Sequence, residues 1–192
     1  GDTHESTRDI LQDKLLGARA DQPEKFGQGL IPGTAIHGVV RRPHVPGAVE
    51  MARIKHVNGG ESEIWFRSYV QGREIFQGFE LDGFWPDEEC PEDVYTEGLV
   101  RLMTLRGLCT LTFTPLKGTT PLVKNLLDNS KMEEANRYVV RCGWDDSPHL
   151  GQQEKDELFA KLPPHQRDAR TKGIPSLGAG AIYPVLEEDI TI

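Results

Sequence analysis

No run of 18 or more apolar residues occurs in this sequence, which argues against a membrane-spanning helix. No basic-then-apolar leader opens it, so nothing reads as a secretion signal. Cysteine is scarce. Cys90, Cys109 and Cys142 lie far apart without C-x-x-C spacing, which argues against a zinc site or a disulfide framework and suits a reducing cytosol. Positive charge is also short: 22 Lys and Arg against 30 Asp and Glu leave a net charge of −8, unhelpful for coating nucleic acid though compatible with a local basic patch. There is no internal repeat, no low-complexity tract, and no G-x-x-x-x-G-K-[ST] phosphate-binding loop. What is present is 192 residues of ordinary globular composition, 37% apolar and 27% charged, enough for one sizeable core or a domain with an appendage.

The chain opens as though on the turn after a strand. Asp2 and Glu5 have capping-box spacing, Ile10, Leu11 and Leu15 form an apolar stripe, and Gly17 stops the helix. Residues 18–47, rich in Gly and Pro, read as long loops with at most short strands. Residues 53–57 and 63–67 read as a hairpin around Asn58-Gly59-Gly60. Residues 70–78 form a short helical or irregular link to an apolar strand, Phe79 to Trp85, that ends in Asp87, Glu88 and Glu89. Pro91 starts a helix that runs to Gly107, and Leu108–Phe113 reads as a second strand. Thr120-Pro121 caps a further helix; Tyr138–Val140 reads as a strand, 151–161 and 164–171 as helices, and Gly173–Ala181 as a Gly-rich exit. Alternating strands and helices predict an α/β fold with a mainly parallel central sheet flanked by helices.

Open α/β sheets place their chemistry at the carboxyl ends of strands. Two such ends would share a crevice here, Asp87 and Glu88 on one strand, Thr112 and Thr114 on the other. That pairing suits nucleotide hydrolysis: an acid for a metal, an acid for the attacking water, hydroxyls to sense the γ-phosphate. The competing explanations are an acidic surface loop and, for Thr110 and Thr112, β-propensity alone. Lys117, in a Gly-bounded loop, suits phosphate or DNA contact, or simple solvation.

The stretch Phe84-Trp-Pro-Asp-Glu-Glu-Cys-Pro-Glu-Asp-Val-Tyr-Thr-Glu97 resembles the Walker B region of the large terminase subunits of tailed bacteriophages. Leu111–Gly118, Leu-Thr-Phe-Thr-Pro-Leu-Lys-Gly, is similar to the coupling motif of that family. Segments 68–78, 144–150 and 163–175 match it too, in the expected order, so the likeness covers nearly the whole chain.

The resemblance implies an ASCE-type P-loop NTPase fold lacking its phosphate loop: a partial ATPase core over 1–143 and a small helical linker over 144–192 leading toward an absent nuclease domain. It implies Asp87 as a Mg²⁺ ligand in the first or second shell, and Glu88 as catalytic base with Glu89 its competitor. Thr112 and Thr114 would couple hydrolysis of ATP to motion, and Arg73 or Arg42 would act in trans in a homo-oligomeric ring. Arg167 and Arg170, on one helical face, would meet DNA phosphates or pair with nearby acids. Implied partners are double-stranded viral DNA, the portal protein and the small terminase subunit, in the host cytoplasm. Two features depart from the family, the missing phosphate loop and an end at Glu187–Ile192 about where the nuclease domain would begin; a smaller one is Pro86, where an aliphatic residue is usual. The expectation is an incomplete ATPase-motor segment; the alternative is a non-catalytic remnant that binds DNA or partners. Asp189 reads as linker rather than as a nuclease acid.

Overall fold

A computed structural model describes residues 1–17, 23–128 and 137–175, which fall into two compact units dividing between Leu111 and Thr112. The Gly-rich exit beyond Pro175, and Asp189 with it, lie outside the described residues.

The first unit opens with helix α1, an α-turn over His4–Ser6, a π stretch over Thr7–Gln12 and a closing α-turn over Asp13–Leu16. Its cap differs from the expected Asp2–Glu5 box. Thr3 accepts from the Ser6 amide at 3.1 Å and the Ser6 hydroxyl reaches back to the Thr3 amide at 2.9 Å. Gly17 ends the helix as expected, at φ +74° with its amide bonded to the Asp13 carbonyl at 2.7 Å.

Three antiparallel strands follow in the order β1 (Ile36–Arg41), β2 (Val49–Lys55), β3 (Glu61–Trp65). The β2–β3 hairpin turns at Asn58–Gly60, where the Asn58 side chain accepts from the Gly60 amide at 2.9 Å. Strand β1 was not foreseen as a full strand, because prolines and glycines flank its apolar pair Val39-Val40. Leu16, Val49, Ala52 and Phe66 make the buried core of this sheet, with Leu11, Leu15, Ile54 and Ile64 packed around them. Each such large side chain taken from water contributes roughly 1.5–3 kcal/mol. Gln12, fully buried, fastens α1 to the sheet: its Oε1 accepts from Val49 N at 2.6 Å and its Nε2 donates to the Gly47 carbonyl at 3.0 Å.

Beyond the sheet, two 3₁₀ turns (Tyr69–Gln71 and Arg73–Phe76) lead to β4, which is only Gly83–Phe84. Helix α2 (Glu92–Leu102) then crosses to β5 (Leu108–Cys109), parallel to β4. The expected mainly parallel central sheet is therefore corrected: among the described residues the sheets are a three-stranded antiparallel one and a two-stranded parallel pair. Pro86 lacks the amide that would continue the ladder beyond Phe84, which bounds both parallel strands. The second strand accordingly stops at Cys109 instead of Phe113. Tyr138–Val140 is likewise irregular rather than extended into a sheet.

In the second unit, α3 (Pro121–Leu127) starts where Thr120 Oγ1 accepts from the Val123 amide at 3.3 Å, and it buries Leu122 and Val123. Helices α4 (Gln152–Lys161) and α5 (Arg167–Lys172) fall close to the predicted spans. The turn at Trp144–Asp146 meets the end of α5: a β-carbon on Gly143 would come within 2.7 Å of the Thr171 carbonyl oxygen. The two C-terminal motifs singled out in the sequence thus pack together. Among the described residues, no helix is long and apolar enough to cross a membrane.

Candidate active site

The acidic turn is held between a strand end and a helix start. Leu108 N donates to the Asp82 carbonyl at 3.0 Å and Thr110 N to the Phe84 carbonyl at 2.9 Å, fixing β4 on β5. After Pro86 come Asp87, half-buried, Glu88, exposed, and Glu89, only 6% exposed. Pro91 closes the turn by accepting the Tyr95 amide at 3.0 Å as α2 begins. Glu92 and Asp93 in the first helical turn suit the positive end of the helix dipole.

Helix α2 lies unusually close to β4. A β-carbon on Gly98 would sit 2.1 Å from Phe84 Cε1, so only glycine allows the Phe84 ring to pack there. Sequence reasoning missed Gly98, although a glycine in mid-helix often has a packing reason.

Glu88 occupies the left-handed region at φ +66°, rare for a residue with a β-carbon. Beside it, buried Tyr69 donates its hydroxyl to the Asp87 carbonyl at 2.8 Å, with the Glu88 carbonyl at 3.4 Å. Burial, and after it the surrounding acidic groups, push the Tyr69 pKa up, which keeps the donor protonated. Sequence reasoning missed Tyr69, although a buried tyrosine usually finds a partner for its hydroxyl.

The other candidates are placed as follows. Arg42 belongs to the first unit, with its side chain 11% exposed, donating to the Phe66 carbonyl at 2.9 Å and 3.9 Å from Glu50. Burial lowers its pKa against the pull of Glu50. Arg73 has a half-exposed side chain 3.8 Å from Glu74. Thr112, Thr114 and Lys117 belong to the second unit, and the three acids to the first. Arg167 stacks over the Phe159 ring at 4.6 Å and donates to the Leu162 carbonyl, and exposed Arg170 donates to Gln166.

A cavity of about 630 Å³ opens beside the strands, lined by Trp65, Phe79, Phe84, Trp85, Leu108 and other mostly apolar groups. The three acids are not in its lining, so its size does not mark the chemistry. Among the described residues, no cluster of three or more His, Cys, Asp and Glu could hold a metal ion by itself.

Cys109, paired with Phe84 in the β4–β5 ladder, gives the site a chemical probe. Burial pushes its thiol up to about 11, so at pH 8 its thiolate fraction is on the order of 10⁻³. Its alkylation rate should climb about tenfold per pH unit from 8 to 10. Exposed Cys142 should react first at pH 8. Iodoacetamide labelling followed by mass spectrometry checks this, and equal rates at pH 8 would contradict the packing.

The model of the terminase large subunit, T4likevirus-type, N-terminal family matches residues 3–190. The chain belongs to this terminase large-subunit family. It is 34% identical over 195 aligned positions to the terminase large subunit of Salmonella phage P22, covering 99% of this chain and 38% of that protein. It is 36% identical over 100 positions to the terminase large subunit of Enterobacteria phage LP7, covering 52% of this chain and 20% of that one. The chain therefore spans well under half the length of these two relatives. No solved structure matches it. Within this terminase segment, the acidic turn, its Tyr69 contact and the α2–β4 packing form one local frame in the first unit.

Proposed function

We propose that this terminase segment carries the metal-binding and water-activating acids of a Mg-ATP-driven motor that moves double-stranded DNA into a phage capsid. The observation that carries the reading is the graded exposure of three consecutive carboxylates at the end of β4, in a chain of this family. We assign Glu88, which is exposed, to take a proton from water, and keep Glu89, which is buried, as its competitor. Mg²⁺ takes oxygen ligands and is commonly held by one or two carboxylates together with substrate phosphates and waters. Half-buried Asp87 fits such a donor set, with no cage of several acids required. When bound, the ion would neutralise charge developing on the phosphate oxygens.

The finer assignments rest on the family motifs. Thr112 and Thr114 would couple turnover to movement. Arg73, whose side chain reaches solvent, is better placed than Arg42 to serve a neighbouring subunit in a ring. Lys117, Arg167 and Arg170 are the proposed contacts to phosphate or DNA, and the portal protein and small subunit the proposed partners. No G-x-x-x-x-G-K-[ST] loop lies within these 192 residues, so we assign the phosphate cradle to other parts of the large subunit.

A packaging assay tests the motor reading. Complete large subunit, ATP and empty capsids should protect linear double-stranded DNA from nuclease, and Glu88→Gln should leave none protected. Protection equal to wild type would favour the alternative, a segment that binds DNA or partners without catalysing hydrolysis.

A further inference from the structure

The stretch Ser68–Gly78 supplies none of the acids, yet it is fastened both to the start of the chain and to the acidic turn. Ser68 is fully buried, with its hydroxyl 2.8 Å from His4 Nδ1 and 3.3 Å from Gln71 Oε1. Gln71 Oε1 also accepts the Ser68 amide at 3.2 Å, closing a tight turn. The Tyr69 and Val70 amides donate to the Gly1 and Asp2 carbonyls at 2.9 and 3.2 Å. Tyr69 is thus held at its backbone from two sides, and its ring carries the hydroxyl to Asp87 and Glu88.

The position of that hydroxyl is informative. It lies 2.8 Å from the Asp87 carbonyl oxygen and 3.4 Å from that of Glu88. These two carbonyls belong to the peptide groups on either side of the Glu88 α-carbon, so their directions set φ and ψ of Glu88. A single donor drawn toward both restrains those two torsions. It does so at a residue whose φ of +66° a β-carbon disfavours.

We infer that Tyr69 is a positioning residue for Glu88: its hydroxyl clamps the two flanking carbonyls, so that the Glu88 carboxylate leaves the turn in one direction. This rests on the reading of Glu88 as the base in ATP hydrolysis. Loss of the clamp frees the turn without touching the carboxylate. It lowers the fraction of time the base is aligned with its water and leaves nucleotide contacts alone.

The test uses steady-state Mg-ATP hydrolysis by the complete large subunit. Tyr69→Phe keeps the buried ring and removes only the hydroxyl. It should lower kcat about tenfold with KM unchanged within about twofold. In the Glu88→Gln background the same change should alter the residual rate less than about twofold, because no carboxylate remains to be positioned. A merely structural role would lower the active fraction, and so the rate, by the same factor in both backgrounds. Wild-type kcat for Tyr69→Phe, with Glu88→Gln inactive, overturns the clamp and leaves the base in place. Wild-type kcat for Glu88→Gln removes both. If Tyr69→Phe does not fold, Ser68→Ala should give a smaller loss, about threefold, again in kcat alone; unchanged kcat there overturns the clamp as well.

Discussion

Glu88→Gln in the complete large subunit should lower Mg-ATP turnover by a factor on the order of 10²–10⁴, while nucleotide affinity stays within about twofold. The carboxamide has nearly the shape of the carboxylate and can still hydrogen-bond to water. It cannot take a proton at neutral pH. Glu88 is also the exposed member of the acidic run, so its replacement should act on turnover more than on the fold. Glu89→Gln is the informative comparator: buried beside Cys90, it should act on stability more than on turnover. Stopped-flow phosphate release, with a fluorescent ATP analogue for binding, separates these outcomes. Undiminished turnover in Glu88→Gln together with lost turnover in Glu89→Gln would move the base by one residue.

Gly98→Ala should destabilise the first unit by about 2–3 kcal/mol in denaturant unfolding. Two effects oppose each other here. Helix propensity alone favours alanine over glycine in a helix interior by about 1 kcal/mol. Against it, the added β-carbon would lie 2.1, 2.3 and 2.7 Å from three atoms of the Phe84 ring, far inside contact distance. Either the ring or the helix must move, and Phe84 belongs to the two-residue strand that delivers the acids. The clash should win, making the sign of the change diagnostic. Phe84→Leu in the Gly98→Ala background should recover part of the loss, and stabilisation by Gly98→Ala alone would show that α2 does not lie against β4 as described.

Several local elements were legible before any coordinates, because each has a local cause. Asn58-Gly59-Gly60 turns a hairpin, Pro91 opens a helix, and Thr120-Pro121 caps another. All three operate within a few residues. The sheet architecture was not legible. Strand–helix alternation suggested a broad parallel sheet, but the register of strands far apart in sequence depends on pairing that no local pattern records. Pro86 cuts the ladder of the two candidate strands down to two residues each, and β1 was hidden among glycines and prolines. The roles of Tyr69 and Gly98 were obscure for a similar reason. Each depends on a partner well removed along the chain, the Asp87 carbonyl and the Phe84 ring.

The most direct measurement is Mg-ATP binding and turnover by the complete large subunit and by this 192-residue chain side by side. The account predicts Mg-dependent turnover for the complete subunit and none for the chain alone, whose acids lack a phosphate cradle. Turnover by the isolated chain would mean that phosphate contacts come from residues other than those assigned here. Absence of turnover in the active, DNA-packaging subunit would contradict the central claim outright.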